Sequence, residues 1–223
     1  MSAGSQAGPG PTIAVVDYGM GNRRSVEKAL EHSGARPLVT NDHAALRSAD
    51  GLVLPGVGSF PRAMENLRAL GLDDLLRDRV AEGVPLLGLC LGMQLAFEHS
   101  TENGGAQGLG LLRGGVDRLE AEGRKLPHIG WSAVHWRRRL GLNEGLEDGA
   151  AFYHVHSYAA TPAAPEDVLG VSVYAAEFVT AVARPPFFGV QFHPEKSSRE
   201  GLALLGNFAA LCAGGVPEPA ARA

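Results

Sequence analysis

A chain of 223 residues with 45% apolar side chains suits one large α/β domain with a substantial core. Its formal net charge of −4 is too small to point to nucleic acid or a membrane surface, and no apolar run is long enough to span a bilayer. Two cysteines, Cys90 and Cys212, with no structural-zinc spacing around them, predict free thiols and a cytoplasmic chain.

The opening residues Met1–Pro11 are Gly/Pro/Ser-rich and lack the apolar stretch of a secretory signal. They are expected to fray, as is the Ala/Gly/Pro-rich end from Ala213 to Ala223. Nothing between repeats or reads as a linker, so a single domain with an ordered core of about 12–213 is expected. Thr12–Asp17 predicts a strand and Tyr18–Asn22 a turn, before Val26, Ala29 and Leu30 give helical spacing. Pro37–Thr40 predicts a second strand, 44–49 a short helix and Gly51–Leu54 a third strand, which Pro55–Gly58 (PGVG) interrupts. Helices are expected around 62–69 and 73–81, then a buried strand over Val84–Leu89. This alternation predicts a mostly parallel central sheet flanked by helices. In the second half, strands are expected over 115–119, 133–136, 151–157, 168–174 and 179–183, with short connections that favour antiparallel additions. Phe187–Phe192 predicts a last strand. Ser197 and Glu200 then have capping-box spacing ahead of a helix carrying Leu204, Leu205, Phe208 and Leu211, with Cys212 as a small packing residue at its end.

Three stretches suggest chemistry. Gly88-Leu89-Cys90-Leu91-Gly92 joins a buried strand to a helical pattern, the cysteine counterpart of a nucleophile elbow. The helix N-terminus would face the sulfur and favour a thiolate. Alone, the stretch reads equally as a buried cysteine in an ordinary βα turn. Val190–Glu195 (VQFHPE) ends a strand with a histidine and, two residues on, an acid. Extended alternation would put both side chains on one side, and Pro194 keeps His193 out of the α region. Glu195 would then orient the imidazole while His193 exchanges protons with Cys90 and leaving ammonia. Without the elbow, an H-P turn beside an exposed acid explains the pair as well. Leu54–Ser59 lies at the strand edge where ligands bind, and its glycines can present N–H groups that complete an oxyanion hole with Leu91 N–H. No G-K-[ST] follows, which argues against a phosphate loop. His128, His154 and His156 invite a metal reading, but no carboxylate is spaced to complete a site; neither metal nor cofactor is expected.

These stretches, with DYGMGN and Arg24-Ser25-Val26, LPGVGSF, KLPHIGW (Lys125–Trp131), FYHVHSY (Phe152–Tyr158), GLCLGMQLAFEHSTE and FHPEKS, resemble the class I (triad) glutamine amidotransferases over roughly Ile13–Leu211. Within them the chain is most similar to the glutaminase subunits of imidazole glycerol phosphate synthase, a histidine-biosynthesis enzyme. The resemblance implies hydrolysis of L-glutamine by Cys90, with His193 as general base and acid and Glu195 as its orienter. It implies Gly58 and Leu91 at the oxyanion, and Gln94, Glu102 and the segment His156, Ser157 and Tyr158 around the substrate. Trp131, Tyr153 and Lys196 match positions facing a cyclase subunit, a (β/α)8 barrel that consumes the ammonia in a heterodimer. Ser132 stands where asparagine is usual in the family, and His154 where phenylalanine is usual. A glutaminase of another pathway, a cysteine peptidase or deglycase, and a non-catalytic binding module are the rival readings.

Overall fold

The computed structural model describes residues 10–214. The expected frayed ends therefore fall mostly outside the described residues, at 1–9 and 215–223. Ala213 is a correction: the last helix runs on through it to Gly214.

The first half alternates as expected: β1 (Thr12–Val16), α1 (Arg23–His32), β2 (Arg36–Thr40), α2 (His43–Ser48), β3 (Gly51–Gly56), α3 (Phe60–Ala69), α4 (Leu72–Ala81), β4 (Leu86–Cys90) and α5 (Leu91–Gln94). Strands then dominate: β5 (Phe97–Ser100), β6 (Ala106–Gln107), β7 (Leu112–Arg118), β8 (His128–Trp136), β9 (Ala150–His156) and β10 (Tyr158–Pro162). The chain closes with β11 (Val168–Tyr174), β12 (Ala176–Arg184), β13 (Phe187–Val190) and α6 (Ser198–Gly214).

The sheet order is β2-β1-β3-β4-β13-β12-β10-β7-β5-β6, with β11, β8 and β9 branching from β12. Its first five strands are mutually parallel, and antiparallel pairing begins where β12 meets β13. Period-2 alternation builds two cores from one sheet. Ala14, Val16, Leu52 and Leu54 pack with Met64 and Leu67 of α3 and Leu75 and Leu76 of α4. Ile13, Val15, Val53 and Leu87 pack on the opposite face with Val26 and Leu30 of α1 and Leu204, Leu205 and Phe208 of α6. The fold class read from the sequence is borne out.

Several local expectations are not. The helical pattern after Cys90 lasts one turn, because pairing with β7 draws Phe97 opposite Leu112 and His99 opposite Gly115. Strands β5, β6 and β10 carry too little alternation to be seen in the sequence. Ser197 forms no capping box with Glu200. Its hydroxyl donates to His193 O at 2.6 Å and accepts from Tyr153 N at 3.0 Å, while the Glu200 carboxylate pairs with Arg199.

Candidate active site

Cys90 ends β4 between β3 and β13, near the middle of the parallel strands. Its backbone sits at φ 54° and ψ −110°, a conformation that costs a non-glycine residue about 1–3 kcal/mol. The flanking glycines make the turn possible by close approach. A Cβ on Gly92 would lie 1.8 Å from Leu54 O, and one on Gly88 would lie 2.6 Å from Gly92 O. Since α5 is a single turn, it offers the sulfur a few free N–H groups and little of the macrodipole expected from a full helix.

Sheet adjacency brings the second motif to the first. Val190 of β13 pairs with Leu89 of β4, so the chain leaving β13 passes the elbow. His193 is extended at φ −103°, as its proline neighbour requires, but Glu195 lies in the 3-10 turn Pro194–Lys196. The two side chains therefore meet across a turn and not by alternation along a strand, which corrects the route expected from sequence. Nδ1 of His193 lies 2.9 Å from Oε1 of Glu195, with side chains only 5% and 1% exposed. Among the described residues Oε2 of Glu195 is buried without a hydrogen-bond partner, and the imidazole at Oε1 offsets this carboxylate's burial. Burial works against charging His193, yet its pairing with Cys90 and Glu195 outweighs burial and pushes the imidazole up to about 10. His193 N donates to Tyr153 O at 2.9 Å, which ties the turn to β9.

A cavity of about 260 Å³ opens beside the sulfur, lined by Gly58, Leu91, Gln94, Glu102, His156, Ser157, Tyr158, His193 and Lys196. The structure thus gathers the expected oxyanion and substrate residues around Cys90, with Glu195 behind His193. A larger groove of about 570 Å³ between β10 and β12 holds no cysteine or histidine, so size does not decide the site. Gly58 takes φ +101°, open to glycine. Beneath that loop the hydroxyl of Tyr18, from the DYGMGN turn, donates to Pro55 O at 2.8 Å, and burial and the nearby Cys90 raise its pKa. Glu102 already uses one oxygen, accepting from Phe60 N at 2.8 Å at the start of α3. Gln94 Nε2 donates to Tyr158 O at 3.0 Å and to Gln191 Oε1 at 2.9 Å. The sulfur itself lies 3.7 Å from Val155 O and 3.6 Å from Gln191 Nε2. No role for Gln191 follows from sequence reasoning; the signal is a lone amide inside the apolar run Phe187–Phe192.

The three other buried histidines pack against one another, with His156 at the cavity wall. His156 Nδ1 faces Tyr158 O at 2.9 Å and must donate, so its Nε2 accepts from His128 Nδ1 at 3.1 Å. His128 Nε2 then accepts from Ser132 Oγ at 3.0 Å. His154 bonds Phe152 O at 3.0 Å and Thr180 Oγ1 at 2.7 Å, and stacks on His128 with centroids 5.2 Å apart. Ser132 and His154, the two positions expected to depart from the family pattern, both meet His128. Burial first, then neighbouring histidines, holds His154 down to about 3 and His156 down to about 4 against the backbone bond each donates. Every ring nitrogen of the three has a hydrogen-bond partner, which leaves none directed at a metal.

Trp131 and Tyr153 pair directly across β8 and β9, with ring centroids 5.9 Å apart. Lys196 Nζ stands 6.0 Å from the Tyr153 ring, and Trp131 is 53% exposed beside Ile129 at 60%. The three residues expected to face a partner thus adjoin one another.

The family model described as glutamine amidotransferase class-I matches residues 14–211. This chain belongs to that family. The class-I amidotransferase is 50% identical over 199 residues to the imidazole glycerol phosphate synthase subunit HisH of Moorella thermoacetica, covering 89% of this chain and 94% of the relative. It is 47% identical to the protein of the same description from Aquifex aeolicus, covering 87% and 94%. Among solved structures, a glutamine amidotransferase matches with TM-score 0.72 at 22% identity over 90% of this chain and 98% of its own. PurLQS from Thermotoga maritima matches with TM-score 0.69 at 19% identity, covering 91% and 97%. At such identities these two share the fold. Among the described residues no helix is long and apolar enough to cross a membrane.

Proposed function

We propose that this class-I amidotransferase is the glutaminase subunit of an imidazole glycerol phosphate synthase, releasing ammonia from L-glutamine through a Cys90 thioester. One observation carries the reading: a strained elbow cysteine shares a cavity with a histidine whose far nitrogen is held by a buried carboxylate. Cys90 attacks the carboxamide carbon, His193 moves the proton to the leaving ammonia and then takes one from water, and Glu195 keeps the ring oriented. Backbone N–H groups at Gly58 and Leu91 stabilise the tetrahedral oxyanion. Gln94, both of whose N–H groups are occupied, meets the substrate through Oε1, an acceptor suited to an ammonium. Glu102 offers its second oxygen, and His156, Ser157 and Tyr158 form the facing wall.

The exposed surface with Trp131, Tyr153 and Lys196 receives a (β/α)8 cyclase barrel in a cytoplasmic heterodimer serving histidine biosynthesis. The chain of residues 1–223 acts as one amidotransferase domain and delivers the ammonia to it. Tyr18 bonds Pro55 O and Gly56 pairs with Cys90 in the sheet, so a rearrangement of the PGVG loop falls on Val57 and Gly58, next to the sulfur. A misaligned oxyanion donor there lowers the rate by about 10²–10³, and a partner that prefers the competent loop restores it. Ammonia release is measured for the chain alone, with the barrel, and with the barrel plus an acceptor-site ligand. The expected order rises across the three mixtures; equal rates would remove the partner-controlled loop. Absence of ammonia in all three would remove the glutaminase reading itself.

A further inference from the structure

Gln191 follows β13 directly, is 0% exposed, and has no part in the chemistry proposed above. Its surroundings decide which way its amide points. A carbonyl can only accept, so the Gln94 atom 3.0 Å from Tyr158 O is Nε2. That same Nε2 lies 2.9 Å from Gln191 and has only protons to offer, so it faces Oε1. The other end of the Gln191 amide, Nε2, is thereby turned to the Cys90 sulfur at 3.6 Å. A backbone carbonyl of β10 thus fixes, through two side chains, an N–H donor at the sulfur. The usual ambiguity of amide orientation is removed by this chain of partners.

We infer that Gln191 is a catalytic residue of the glutamine hydrolysis, holding the Cys90 sulfur in its anionic form through an amide N–H. The inference rests on Cys90 being the nucleophile. The sulfur's other neutral polar neighbour is Val155 O at 3.7 Å, which accepts from the thiol and repels the thiolate. Gln191 supplies the opposing term. Unlike the imidazolium, its donor stays in place whatever the proton on His193 does. In acylation the sulfur lone pair forms the S–C bond to the carboxamide carbon, the C–N bond breaks, and ammonia leaves with a proton from His193. In deacylation water adds, its proton passes to His193, the C–S bond breaks and the electron pair returns to sulfur. Gln191 N–H meets that charge as it returns, so it acts in both halves of the cycle.

The test is the pH profile of Cys90 alkylation by iodoacetamide, read on the Cys90 peptide by mass spectrometry. Cys212 does not interfere, since burial, reinforced by Asp50, pushes its thiol up to about 12. Gln191→Met keeps the unbranched shape and removes the donor. Gln191→Leu is likewise neutral and without a donor, so it decides the matter if the methionine variant fails to fold. In each folded variant the alkylation midpoint rises by about one pH unit, and kcat falls about tenfold. A purely structural role would leave the midpoint in place. An unchanged midpoint in a variant that melts like the wild type overturns the inference while leaving Cys90 as nucleophile. Normal turnover in Cys90→Ala overturns both.

Discussion

Four histidines are buried within one region of this molecule, and they divide into two sets with opposite proton affinities. His193, braced by Glu195 and coupled to Cys90, is pushed up to about 10, whereas His154 and His156 are held down to about 3 and 4. Burial disfavours the charged imidazole in all three. The difference lies in the partners. His193 faces a carboxylate and a thiol, groups that gain from a positive ring. His156 faces a carbonyl and another imidazole, and His154 faces a carbonyl and a hydroxyl, which orient a neutral ring without rewarding its charge. A buried histidine is therefore no sign of acid–base chemistry until its partners are known. The three histidines that invite a metal reading in the sequence are the ones held neutral, and of them only His156 lines the Cys90 cavity.

That contrast breaks most visibly at His193. His193→Ala is expected to lower glutamine hydrolysis by more than any other change outside Cys90, because no other group moves the proton. Glu195→Gln should cost about 10⁴ in kcat, the loss found when an orienting acid is removed from a comparable triad, and less than His193→Ala. Steady-state ammonia release by the two variants checks the order; an equal or greater loss from Glu195→Gln would mean that the carboxylate handles the proton.

The neutral set is sharpened by stability measurements. Above about 6.5, the ordinary histidine value, His154 is neutral folded or unfolded, and its contribution does not change with pH. Between about 6.5 and about 3 the unfolded chain binds a proton that the folded one refuses, so stability falls as pH falls. Each such histidine adds a slope of up to about 1.4 kcal/mol per pH unit. His154→Phe removes one proton from that slope. It also strips a partner from buried Thr180, at a cost of about 1–3 kcal/mol near pH 7. Urea unfolding at pH 7 and pH 5 should show the variant weaker at the first and closer to the wild type at the second. Parallel pH slopes would mean that His154 titrates in the folded protein.

The smallest effect is expected at the exposed rim. Lys196→Glu should weaken association with a cyclase barrel about fivefold, the scale of one surface charge pair, without altering the melting temperature. Titration of the barrel against the two forms checks it, and equal affinities would take Lys196 out of the interface.

Much of the site was legible because it is written in local chemistry. Glycines flank Cys90 where no Cβ fits, a proline holds His193 extended, and both stretches end strands of a parallel sheet. The acid two residues beyond His193 was recognisable, although the turn that delivers it was not, since local spacing does not say whether a strand continues. Gln191 could not be assigned, because its partners lie 97 and 101 residues away and only the pairing of β4 with β13 brings them together. Ser197 misled for the opposite reason: its spacing to Glu200 fits a cap, and tertiary contacts with Tyr153 and His193 claimed the hydroxyl instead. Strands β5 and β6 escaped notice because they are short and their sequences, FEHS and AQ, have no alternation to read.

The most direct test of the account is ammonia release from glutamine by Cys90→Ala, assayed beside the wild type with the cyclase barrel present. Turnover should fall to background while the variant still binds glutamine and melts like the wild type. Turnover at a near-normal rate would contradict the elbow as the seat of the chemistry.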